Sequence, residues 1–138
     1  MCTVTYVPKY EGYILTSNRD ETLLRATLPP EKREWAGRVI TCPIDIQAGG
    51  TWIGHDDRGN TLCLLNGADE NFIPQSHYTD SRGQVILNYL GCDLSEDFWE
   101  HYSLKQTAPF TLVVVKNFRS ELMVVKWNGI QLEKVNLD

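Results

Sequence analysis

Residues 2–18 read CTVTYVPKYEGYILTSN, and their reading decides the class of fold. Two runs, 2–7 and 13–18, are rich in the β-branched and aromatic residues that suit a pleated, half-buried surface. Between them Pro8, Lys9, Tyr10, Glu11 and Gly12 carry turn chemistry, a ring that presets φ and a glycine that accepts positive φ. The stretch predicts a β-hairpin with a loop of roughly four to six residues.

The same grammar recurs downstream. Residues 51–55 (TWIGH) and 61–65 (TLCLL) flank Asp56-Asp57-Arg58-Gly59-Asn60, which has the composition of a longer hairpin loop. Residues 110–116, 121–127 and 130–135 are apolar β-like runs joined by 117–120 and by Asn128-Gly129, the latter a favoured two-residue turn, so they predict a meander. Helical spacing is confined mainly to 80–91, where Val85, Ile86, Tyr89 and Leu90 fall one turn apart behind candidate caps at Asp80 and Ser81. A shorter helix is predicted from Ser95. The stretch from Thr22 to Arg38, with Pro29 and Pro30 in its middle, reads as a surface loop. The expected class is α+β, mostly antiparallel sheet with helices packed on a face.

The chain's 138 residues fit one domain, 1–138, burying roughly two-thirds of the surface its unfolded chain exposes. A composition of 42% hydrophobic and 22% charged residues is that of a globular protein rather than a disordered or membrane chain. The net charge of −5 argues against a nucleic-acid partner, which calls for a basic stripe, whereas Glu31-Lys32-Arg33-Glu34 mixes the two signs. No stretch approaches the roughly 20 apolar residues of a membrane span, and no basic leader opens the chain, so the expected compartment is the cytoplasm. Cys2, Cys42, Cys63 and Cys92 lie far apart, without a CxxC pair or a histidine at ligand spacing. Neither zinc nor a disulfide framework is expected, and no cofactor.

Chemistry enters through the first hairpin. Its loop sets Cys2 against Ser17, Asn18 or Arg19, and directly opposed side chains lie about 5 Å apart at Cβ. Removal of Met1 would give Cys2 a free α-amine whose ordinary pKa, about 7.7–8.0, suits it to accept a thiol proton. A neighbouring guanidinium, here Arg19, favours thiolate in general, and Asp20 is placed to hold an α-ammonium. The same residues also fit a small N-terminal hydrophobe beside a surface Arg/Asp pair. The second hairpin sets Asn66 across from Gly50 and the Gly49-Gly50 pair. There the glycines leave room for a substrate, and an Asn amide suits an oxyanion. Asn66-Gly67 is equally a turn dipeptide.

Taken in order, Met1-Cys2-Thr3, Asn18-Arg19-Asp20-Glu21 and Gly49-Gly50-Thr51-Trp52-Ile53-Gly54 closely resemble the NRDE family, the group that includes transport and Golgi organisation 2. Arg58-Gly59, the strand ending in Asn66, and Ser81-Arg82-Gly83 continue the likeness over essentially the whole chain. The resemblance implies an N-terminal-nucleophile (Ntn) hydrolase-type fold of stacked sheets and helices. The start is also similar to the cysteine Ntn enzymes that cleave penicillin V and conjugated bile salts. By that similarity Cys2 is the nucleophile, Arg19 and Asp20 support it, and Asn66 serves the oxyanion; Gly49, Gly50 and Trp52 are the candidate contacts for a small-molecule amide substrate. Arg19 and Asp20 stand one residue closer together than their counterparts in the bile-salt enzymes. Family members usually continue through a segment with a Ser-Asn motif, so a chain ending at Asp138 is expected to lack part of the pocket.

The family is also connected with secretory-pathway organisation, haem trafficking and lipid homeostasis, which implies a non-enzymatic alternative in which the chain binds a hydrophobic ligand. His55, His77 and His101 would then be the candidate axial ligands, and Trp35, Trp52, Trp99 and Trp127 candidate pocket walls. Scattered histidines and tryptophans fit surface and core positions equally well.

Overall fold

A computed structural model describes residues 2–68, 78–92, 97–116, 118 and 121–137. The first hairpin forms from β1 (Thr3–Pro8) and β2 (Tyr13–Asn18), with Thr3 opposite Asn18 and Pro8 opposite Tyr13. Lys9 N–H donates to the Gly12 carbonyl at 3.0 Å across the loop, and Gly12 takes φ +98°, a conformation that favours glycine.

The remaining strands are β3 (Thr27–Trp35), β4 (Arg38–Asp45), β5 (Ile53–Asp56), β6 (Thr61–Asn66), β7 (Phe110–Lys116), β8 (Glu121–Trp127) and β9 (Leu132–Asn136). They form a seven-stranded sheet in sequential order from β3 to β9, antiparallel at every pairing. Helices α1 (Gly83–Leu90) and α2 (Phe98–His101) fall between β6 and β7. No helix among the described residues is long and apolar enough to cross a membrane.

Three expectations need correction. The predicted loop from Thr22 to Arg38 contains β3, which pairs with β4 through the two-residue turn Ala36-Gly37. Both turn residues have positive φ, +51° and +78°, as the tight hairpin turn requires. Pro29 and Pro30 are tolerated because β3 is the sheet's edge strand and a register shift falls between Leu28 and Glu31, the kind of place where proline enters a sheet. Secondly, Asn128-Gly129 is not a two-residue turn, since Trp127 pairs with Leu132. Asn128 Oδ1 accepts from the N–H groups of Ile130 and Gln131 at 2.8 and 2.7 Å, building a wider loop around the side chain. Thirdly, the helix starts at Gly83 with Arg82 as its N-cap residue and no side-chain cap. Ser81 Oγ instead accepts from Gly83 N–H at 3.2 Å. Ser95 lies outside the described residues; α2 starts at Phe98, after Asp97 as N-cap.

Alternation along β6 separates two layers. Leu62 and Leu64 join Leu112, Val114 and Val125 in a core against Val85, Ile86, Tyr89 and Leu90 of α1. Cys63, fully buried, faces the other way, where the first hairpin packs. Tyr13 Oη donates to Thr61 Oγ1 there, and Ser17 hydrogen-bonds the Cys63 thiol. Hairpin, sheet and helix thus stack in order. Arg58 ties the β5–β6 loop to the end of α1, donating to the carbonyls of Leu90 and Cys92 at 2.8 and 3.1 Å. This helps satisfy the helix's last carbonyls and fixes the helix on the sheet.

Candidate functional site

Both sheets and α1 present their ends to one place. Cys2 precedes β1, Arg19 follows β2, Asn66 ends β6, and Gly83 opens α1. Where they meet is a cavity of about 330 Å³, within the size range of small-molecule sites. Continuing the hairpin register one step beyond Thr3 and Asn18 sets Cys2 opposite Arg19, and both line the cavity with Asp20, Asn66, Gly50 and Trp52.

Arg19 is held in two ways. Its Nη2 donates to Asp45 Oδ2 at 2.7 Å, and its guanidinium carbon lies 4.3 Å from the Trp52 ring centroid, a cation–π geometry worth about 0.5–2 kcal/mol. Asp45 also receives Arg25 Nε at 2.6 Å, while its other oxygen accepts from the N–H groups of Gln47 and Ala48 at 3.0 and 3.2 Å. Burial works against this carboxylate, but the Ala48 N–H and the two arginines outweigh it and hold its carboxyl below the usual range.

Asn66 is exposed, and its side-chain amide has no protein partner among the described residues. Its backbone is fixed opposite Phe110. The β5–β6 register, Ile53 with Cys63 and His55 with Thr61, extrapolates to Gly50 opposite Asn66, although the last backbone bond on that line is Leu64 N–H to Trp52 O at 2.8 Å.

The two glycines behave differently from one another. Gly49 is outside the cavity lining, and its carbonyl accepts from Gln84 Nε2 at 3.1 Å. Gly50 lines the cavity, but the space of its missing side chain is taken by protein, since a Cβ there would lie 2.7 Å from the Cα of Gly83. Gly50, together with Gly83, lets the start of α1 press on the β4–β5 loop, where Thr51 N–H reaches the Gly83 carbonyl at 3.4 Å.

Asp45, Arg25 and Arg82 also line the cavity, though the sequence attaches no role to them. Asp45 is a buried aspartate in an unassigned stretch, and Arg25 lies within the predicted loop. Arg82 was visible in the Ser81-Arg82-Gly83 motif without a function attached. It donates Nη1 to the Pro109 carbonyl at 3.1 Å, and burial works to lower its pKa, though a guanidinium stays charged.

Of the tryptophans, Trp52 lines the cavity, while Trp127 belongs to the core and Trp35 and Trp99 pack against it. His55 and His101 are exposed and outside the cavity lining; His77 lies outside the described residues.

No curated protein matches the chain. The sequence model of the family described as Transport and Golgi organisation 2 matches residues 1–136. The chain therefore belongs to the Transport and Golgi organisation 2 family.

Proposed function

We propose that this protein is a cysteine hydrolase of the N-terminal-nucleophile type, acting on a non-peptide amide, with Cys2 as nucleophile after removal of Met1. The observation that carries the reading is the convergence of Cys2, Arg19, Asp20 and Asn66 on one cavity. The stacking of hairpin, sheet and helix supports an Ntn-hydrolase-type fold. A cytoplasmic setting belongs to the same proposal.

In the proposed cycle the Cys2 α-amine takes the thiol proton, and Sγ attacks the amide carbonyl. Asn66 donates to the developing oxyanion, Arg19 steadies the sulfur side, and Asp20 holds the ammonium. Collapse breaks the C–N bond, and the departing amine takes the proton from the ammonium. Water then hydrolyses the thioester with the α-amine as base, giving acid, amine and free thiol. The alternative, a carrier of haem or lipid, gains no histidine ligand from the described part of the cavity wall.

The test combines intact-protein mass with turnover. Loss of Met1, a transient acyl adduct on Cys2 from an N-acyl anilide, and abolition of hydrolysis by Cys2→Ala in a folded protein are expected. Hydrolysis that survives Cys2→Ala would remove the nucleophile and the reading with it.

A further inference from the structure

Arg82 differs from the other two arginines at the cavity. Arg19 and Arg25 both end on Asp45, and Arg25 also faces Glu21 at 3.9 Å. Arg82 forms no ion pair among the described residues, and its one protein acceptor is the neutral Pro109 carbonyl, reached through Nη1. A guanidinium has five N–H donors in a planar fork, so most of Arg82's donors have no protein acceptor among the described residues. The side chain is half-buried and lines the cavity with Cys2. A partly desolvated cation with no ion-pair partner among the described residues, beside a candidate nucleophile, leaves room for a counter-charge.

The surroundings restrict what can supply it. The ionisable groups that act on Arg82 are Cys2, Arg25, Glu21 and Tyr78. Among the carboxylates of the wall, Asp45 is saturated by two arginines and two backbone N–H groups, and Asp20 has a partner of its own. Asp80 accepts from Thr79 Oγ1 at 3.4 Å and pairs with no arginine among the described residues. Glu21 sits on the Arg25 side. Three arginines stand against four carboxylates around the cavity, a balance that disfavours a multiply charged ligand. A single planar carboxylate matches the open fork of Arg82 in both charge and shape.

We infer that Arg82 anchors a carboxylate carried by the bound molecule, so that the cavity selects amides bearing one carboxylate close to the scissile bond. In taking that molecule as a substrate this rests on the hydrolase reading, whereas the anion site itself can be probed without turnover. Arg82 is then a specificity residue: it holds the ligand's charge while Cys2 meets its carbonyl.

The experiment uses two alkylating reagents that differ in charge. Iodoacetate and iodoacetamide react with the same sulfur, and only iodoacetate offers a carboxylate to Arg82. Their labelling rates at Cys2 are compared by peptide mass mapping, with the half-buried Cys92 as control in the same molecule. The expected result is saturable labelling of Cys2 by iodoacetate and an iodoacetate-to-iodoacetamide ratio at Cys2 on the order of tenfold above that at Cys92, the size of one charge-assisted contact. Arg82→Gln should bring the iodoacetate-to-iodoacetamide ratio at Cys2 down to that at Cys92, whatever its effect on the common rate; Arg82→Lys should keep part of the excess. Should Arg82→Gln fail to fold, the wild-type protein still decides, because benzoate should protect Cys2 from iodoacetamide at concentrations where benzamide does not. Equal ratios at Cys2 and Cys92, or equal protection by the acid and the amide, would overturn the anion site even if neutral amides are hydrolysed. The hydrolase reading fails separately, through turnover that survives Cys2→Ala.

Discussion

Gly50 and Gly83 meet backbone to backbone, such that a Cβ on either would fall 2.7 Å from main-chain atoms on the other side of the contact. Nothing at that contact is a flexible side-chain tip that could move aside. Gly50→Ala and Gly83→Ala are therefore each expected to lower stability by about 1–3 kcal/mol, the usual cost of overpacking. Urea denaturation measures it. A neutral Gly50→Ala would mean that the start of α1 can slide without loss.

Asp45 organises the arginines, and its substitution has a defined pH signature. Asp45→Asn should cost about 2 kcal/mol at pH 7, in line with lost hydrogen bonds to charged groups. Because the folded-state pKa lies below the ordinary value of 3.8, the carboxylate's contribution is complete above that value and is lost as the pH falls through the folded one. The stability gap between wild type and Asp45→Asn should thus narrow from pH 7 to pH 3. A gap that widens in acid would contradict the ion-pair account.

The four thiols should separate in native-state labelling with iodoacetamide. Cys42 and Cys63 are 1% and 0% exposed, and burial raises both thiol pKa values. They should react slower than Cys2 by at least about tenfold and mainly through opening of the fold. Cys2, at the cavity wall, is expected to react first. Uniform labelling, read by peptide mass mapping, would mean that Cys63 is not sealed beneath the hairpin.

Asn66→Ala should separate chemistry from folding. The side chain is exposed and without a protein partner among the described residues, so the melting temperature should barely move. Under the proposed mechanism kcat should fall on the order of 10²–10³-fold, as for loss of one oxyanion donor. An unchanged kcat would assign the oxyanion to other groups.

What could be read in advance follows where apolar residues sit. β7 and β8 were legible to the residue because Phe110, Leu112, Val114 and Val125 are packed into the core and leave a β pattern in the composition. β3 was illegible because most of its side chains are exposed, so Thr27–Trp35 shows no alternation, and its prolines argue against a strand. The turn at Ala36-Gly37 lacks the Asn or Asp that usually announces such a geometry. At the site, Cys2 and Arg19 could be paired by counting along one hairpin. Asp45 and Arg82 could not, since each reaches the cavity through contacts between elements distant in sequence, such as Arg82 with Pro109.

The prolines that hid β3 also bear on how molecules of this protein meet. An edge strand ordinarily offers a ladder of donors and acceptors to any passing strand. Pro29 and Pro30 contribute no N–H, and the register shift beside them spoils the even spacing that a second ladder would need. Replacing both with Thr would restore two donors to a strand rich in exposed residues, turning a self-limiting rim into a surface that other copies could extend.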